Sequence, residues 1–209
     1  MSSLWQRPAL DLLQAAASGA PTPGGGSTAA LTGAFGAALL EMALHITLNK
    51  HREEEEELLR VLQTATGLRE RLQALADEDV RAFGAYVQAT RLPGDTPAQE
   101  RERAEALDRA GRAAVRAPLE LARTLVEALN LARRILPHVH AEVTSDVGAG
   151  AAILAGALRA GLLTAEINLP HLPEEERPAL RAERDSLQAQ GTRLVTAILR
   201  RTRARLGSD

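Results

Sequence analysis

Asp79 follows Asp77 and Glu78 in the stretch Ala76 to Phe83, ADEDVRAF. On a helix Leu72, Ala76, Asp79 and Phe83 share one face, so Asp79 falls on or near an apolar stripe while Asp77 and Glu78 point elsewhere. A carboxylate placed there is either paired or raised in pKa, which is the environment of a general acid or base. The simpler alternative is an edge position where the carboxylate still reaches water. Lys50 is the only lysine among 25 basic residues, the other 24 being arginine. Lysine carries a compact ammonium whose pKa shifts readily on burial, which arginine cannot match. Its place at the C-terminal end of a helix, where the dipole favours a cation, is the plainer reason for it.

Gly24, Gly25 and Gly26 precede Ser27 in the run Pro21-Thr22-Pro23-Gly24-Gly25-Gly26-Ser27-Thr28. Glycines at a helix N-terminus expose backbone N–H groups that can cradle an anionic or carbonyl group. No lysine follows them and no strand precedes them, so this is not a nucleotide-binding P-loop. The alternative is a plain turn between two helices. Asp146 follows Thr144 and Ser145 and precedes the small-residue run Val147 to Ala152. Ser145 or Asp146 can cap the next helix, or Asp146 can line a pocket left open by those small side chains. Glu41 and His45 lie four apart, and His138, His140 and Glu142 cluster. The paired Glu-x-x-His spacing of di-metal bundles is missing, however, and no metal is expected.

The elements that must position these residues are helices. Aromatics are 2% of the chain, and Ala, Leu, Arg and Glu dominate it, which excludes an all-β fold. The apolar fraction of 45% against 25% charged is that of a globular chain, large enough for one sizeable core. A net charge of −2 gives no electrostatic grip on nucleic acid, and the few aromatics give no stacking platform for it. Cysteine is absent, so there is no disulfide framework and no thiolate site; the composition is compatible with a cytoplasmic location. Met1 to Leu10 lacks the basic and apolar regions of a secretory signal. Ala29 to Leu48 is apolar, but Glu41, His45 and many Ala and Gly residues make it a buried core helix rather than a membrane span.

Breakers divide the chain into helices over Leu4–Ala17, Ala29 to about Lys50, Glu53–Leu92, Pro97 to about Leu136, Val139–Ala165 and Pro173–Arg205. Ser27 or Thr28 caps the second. Thr96 caps the fourth with Glu100 strengthening its start, and Pro118 bends or restarts that helix. The run Glu53 to Glu57 and the arginine-rich tail Arg200 to Arg205 read as solvated faces. The expectation is one domain over 1–209: an all-α, antiparallel bundle of about six long helices. A dimer is expected because one chain offers little to cover Ala29 to Leu48 on all sides.

Pro23-Gly24-Gly25-Gly26-Ser27, the Ala/Gly-rich helix ending Leu48-Asn49-Lys50, ADEDVRAF, Ser145-Asp146 and Ile167-Asn168-Leu169-Pro170 occur in one order along nearly the whole chain. In that order they resemble the formiminotransferase-cyclodeaminase C-terminal family, which includes stand-alone methenyltetrahydrofolate cyclohydrolases. The resemblance implies an all-helical subunit in an antiparallel homodimer, with tetrahydrofolate derivatives bound in clefts near the interface. It implies water addition to, or ammonia loss at, the bridge between N5 and N10 of folate, with Asp79 as acid/base carboxylate. On this reading Lys50 holds Asp79 ionised or binds folate, and Gly24, Gly25, Gly26, Ser27, Asp146 and Asn168 bind substrate. No metal or organic cofactor is needed. The alternatives are a cyclodeaminase and a non-catalytic folate-binding helical dimer. Asn49 replaces a frequent glycine of the family, His51-Arg52 replace more basic or aromatic residues, and His171 replaces a frequent serine.

Overall fold

The computed structural model describes residues 3–50 and 55–207. Six α-helices carry the fold: α1 Ala9–Ala16, α2 Gly25–Lys50, α3 Glu55–Thr90, α4 Pro97–Ile135, α5 Thr144–Asn168 and α6 Arg177–Leu206. Single 3-10 turns cover Leu4–Gln6, Ala141–Val143 and Leu169–His171. Among the described residues there is no strand. The departures His51-Arg52 and the expected helix start at Glu53 lie outside the described residues.

The long helices interlock around one core, with α2 against α3 and α5, and α4 against α3, α5 and α6. Leu40, Leu44, Leu72, Leu125, Leu129, Leu154, Leu158 and Ile198 are essentially inaccessible to solvent there. Burying a leucine contributes about 2 kcal/mol each, so this cluster is the main source of stability. Where α2 meets α5, a Cβ on Gly150 would stand 2.8 Å from the Gly36 carbonyl oxygen. The two backbones pass each other there, and only glycine permits it. By length and composition α2 and Ala141–His171 are apolar enough to cross a membrane, yet 50% and 56% of their apolar windows are packed inside the bundle.

Several helix ends differ from the sequence reading. The first expected helix is split: Pro8 disfavours helix at Arg7, while the Asp77 carboxylate takes the Leu4 N–H at 2.8 Å and the Ser3 hydroxyl at 2.6 Å. Asp77 is thus an anchor for the N-terminal segment. Helix α2 starts at Gly25 rather than Ala29, because the Gly24 carbonyl already accepts the Thr28 N–H at 2.9 Å. Ser27 and Thr28 therefore sit inside the first turn instead of capping it. At α4 the capping box pairs Thr96 with Gln99, not Glu100.

Pro118 does not restart α4, which runs unbroken to Ile135. The start of α5 is delayed to Thr144, since the His140 N–H is tied to Thr47 Oγ1 at 3.0 Å and a 3-10 turn follows. Neither Ser145 nor Asp146 caps α5; its cap position is Val143, without a side-chain bond. The start of α6 slips from Pro173 to Arg177, with Pro178 in its first turn.

Candidate active site

A cleft of about 330 Å³ opens where the N-terminus of α2, the last third of α3 and the C-terminus of α5 converge. Asp79, Phe83 and Tyr86 line it from α3, at i, i+4 and i+7 on one helical face. Gly24, Gly25 and Gly26 come from the start of α2, Ala114 from α4, and Thr164, Asn168 and His171 from the end of α5 and the turn beyond it.

The glycine turn does hold a carboxylate, and that carboxylate is Asp79. The Ser27 main-chain N–H and side chain face it and favour its charged form, while the Ser27 hydroxyl donates to the Gly24 carbonyl at 3.2 Å. A Cβ on Gly26 would fall 2.2 Å from Asp79 Oδ1, so the absence of a side chain is what admits the carboxylate to the helix N-terminus. Burial pushes the Asp79 pKa above its ordinary value, and the two Ser27 groups oppose but do not cancel that effect. The result is a carboxylate held in one place, reluctant to carry charge and open to the cleft. Such a group has the chemistry to exchange protons with a ligand placed beside it.

Asn168 donates from Nδ2 to the Ala114 carbonyl at 2.8 Å. The Tyr86 hydroxyl lies 3.0 Å from His171 Nδ1, and the two rings meet tilted by 40° with centroids 4.3 Å apart. The sequence reading missed Tyr86, Thr164 and Ala114, and noted His171 only as a departure. Continuing the Asp79–Phe83 spacing by three residues reaches Tyr86, a signal that was there to follow. A second cleft of about 500 Å³ shares Gly24 and Gly25 and runs along α2 and α5 past Thr28, Thr32, Gly156 and Ala160.

Lys50 and Asp146 are not brought to this cleft within one chain. Lys50 closes α2, 23 residues beyond Ser27, about 35 Å along the helix. There it pairs with Glu142, whose pKa it lowers by hydrogen bonding and by charge. Asp146 lies in the first turn of α5, 18 residues before Thr164 and so about 27 Å away. Glu41, four residues before His45, is held by α3: Thr66 donates to it at 2.7 Å and Arg69 at 2.5 Å. Among the described residues no three His, Asp or Glu side chains gather as metal ligands.

The chain is thus an all-helical unit with a desolvated carboxylate at a glycine-lined helix N-terminus, beside a cleft of small-molecule size. The chain belongs to the Formiminotransferase-cyclodeaminase family, whose pattern matches residues 8–185. It is 35% identical to the methenyltetrahydrofolate cyclohydrolase of Methylorubrum extorquens over 164 residues, 78% of this chain and 79% of that one. It is 38% identical over 125 residues to the formimidoyltransferase-cyclodeaminase of Sus scrofa, covering 59% of this chain but only 23% of that protein. In three dimensions it superposes on the crystal structure of a formiminotetrahydrofolate cyclodeaminase from Thermotoga maritima. The TM-score there is 0.75 over 98% of both chains at 20% identity, a likeness of fold.

Proposed function

We propose that the chain is a folate one-carbon enzyme that hydrolyses 5,10-methenyltetrahydrofolate to 10-formyltetrahydrofolate, working in the cytoplasm without a metal or organic cofactor. The observation that carries this reading is Asp79, desolvated and fixed by Ser27 in a cleft of ligand size. The similarity to a cyclohydrolase along most of both chains supports the choice of reaction.

The substrate's amidinium carbon is electrophilic. Water oxygen attacks it while the Asp79 carboxylate takes one water proton, giving a neutral tetrahedral adduct. The bond from that carbon to N5 then breaks as Asp79 returns the proton to N5. The remaining hydroxyl proton leaves to solvent as the formyl C=O forms on N10, so one proton is released per turnover. Asp79 ends as it began. A carboxylate with an elevated pKa suits both halves, being basic enough to take the proton and acidic enough to return it. Gly24, Gly25 and Asn168 line the space in which the ring system would lie.

The test follows the methenyl absorbance at a pH where spontaneous hydrolysis is slow. Acceleration by the protein is the expected outcome. Absence of acceleration, with ammonia released from 5-formiminotetrahydrofolate, would make the chain a cyclodeaminase, the activity named in its bifunctional relatives. Binding of folate with neither reaction would leave a non-catalytic dimer.

The same reading includes a homodimer. Thr28, Thr32, Phe35, Leu39 and Met42 recur on α2 at alternating spacings of four and three, the seam of packed helices. Phe35 is 64% exposed there, and Leu163 and Ile167 on α5 are each 72% exposed. A second copy laid antiparallel over this face would cover these side chains and bring the partner's Lys50 toward the Gly25 end of α2. That placement is how Lys50 would reach Asp79. Phe35→Glu is expected to give monomers by sedimentation velocity, because it leaves a charge without a partner in the seam.

A further inference from the structure

Pro118 lies inside α4, where its ring has no N–H to offer the carbonyl four residues back. That carbonyl belongs to Ala114, a residue of the cleft wall. A buried helix carbonyl without a donor is costly, so another donor must reach it. The donor is the Asn168 carboxamide, 2.8 Å away and 54 residues further along the chain. We infer that Pro118 is a positioning residue for the active site, vacating the Ala114 carbonyl so that Asn168 is held with its amide nitrogen on α4 and its oxygen free for a ligand.

The orientation of the carboxamide follows from chemistry. A carbonyl partner can be served only by the NH₂ end, which fixes the atom assignment. Oδ1 then has no hydrogen-bond partner among the described residues, in a side chain that lines the cleft. Asn168 therefore presents an acceptor, and the edge it selects on a ligand is an N–H donor. Pteridine rings carry such edges, and a ligand offering only acceptors would be refused there. This chemistry rests on the folate reading above; the orientation of Asn168 does not.

Pro118→Ala restores a main-chain N–H aimed at Ala114. The carbonyl is drawn back to its own helix, and the Asn168 carboxamide loses its fixed partner. The variant should fold and melt at or above the wild-type temperature, since alanine favours helix where proline opposes it. KM for methenyltetrahydrofolate should rise about five- to tenfold, the weight of one oriented hydrogen bond, while kcat stays within about twofold. Asn168→Ala should raise KM alike, and Pro118→Ala should add nothing in that background, because the two act through one bond.

The side-chain NH₂ signals of Asn168, identified by their loss in Asn168→Ala, give a readout that needs no turnover. They should move, and exchange faster with solvent, in Pro118→Ala. Unchanged KM and unchanged NH₂ signals would overturn the inference, as would an equal KM effect of Pro118→Ala with and without Asn168. If the wild type turns over neither folate substrate, the reaction assigned above is wrong, and the NH₂ signals alone decide the role of Pro118.

Discussion

Asp79→Asn is expected to lower turnover of methenyltetrahydrofolate by about 10²- to 10⁴-fold, the usual weight of a general base. The substitution is close to isosteric, and the carboxamide oxygen can still accept the Ser27 N–H, so the cleft keeps its shape. What disappears is the ability to take a proton from water and give it to N5. The pH dependence separates this from a structural effect. Burial raises the Asp79 pKa in the folded protein above the ordinary 3.8. Between the unfolded and folded values the folded state binds the proton more tightly, so stability falls as pH rises through that window. Above it the ionised Asp79 is a net cost to the fold. Asp79→Asn removes that cost and should melt at the same or a higher temperature at neutral pH, while activity collapses. In the wild type the rate should rise as pH increases through the raised pKa, and the residual rate of the variant should lack that step. Loss of activity together with a lower melting temperature would instead mark Asp79 as structural.

The helix count and the absence of strands among the described residues, and the position of Asp79 on an apolar face, were legible because they depend on local pattern. Leu72, Ala76 and Asp79 recur at helical spacing whatever else the chain does. What could not be read was where helices begin. Ser27 looks like a cap, and only the Gly24 carbonyl accepting from Thr28 shows that α2 starts at Gly25. The glycine run was recognised as a cradle for an anion, but nothing local says that the anion is a side chain 53 residues away. Asn168 carries no signal of its bond to Ala114 either. Pro118 is the visible half of that interaction, a missing N–H whose consequence appears only once α5 packs on α4. Lys50 and Asp146 read as site residues through their motifs, yet within one chain each stands most of a helix length from the cleft, Lys50 along α2 and Asp146 along α5. For Lys50 that distance follows from the 23 helical residues beyond Ser27, whereas for Asp146 it emerges only once the packing of α5 on α2 is known.

Gly26→Ala should reproduce most of the Asp79 effect without touching Asp79. The new Cβ would fall 2.2 Å from Oδ1, 2.7 Å from the carboxyl carbon and 2.9 Å from Oδ2. Contact distances require the carboxylate to retreat by about 1 Å, which breaks its register with Ser27 and with any water poised over the substrate. A misplacement of that size costs about 10²-fold in rate. Stability should change little by comparison. Alanine gains about 0.5–1 kcal/mol over glycine inside a helix, and crowding a short side chain costs about 1–3 kcal/mol. The two offset to within roughly 2 kcal/mol. Gly67→Ala is the matched control, because a Cβ on that helical glycine of α3 meets nothing within 4 Å. It should raise the melting temperature slightly and leave the rate alone. If Gly26→Ala retains full turnover, the carboxylate can work from a second position, and its fixation by the α2 N-terminus is not what makes it reactive. If turnover falls while the step in the pH profile moves, the same turn sets both the place and the proton affinity of Asp79. Gly26 then serves the catalytic carboxylate rather than the substrate.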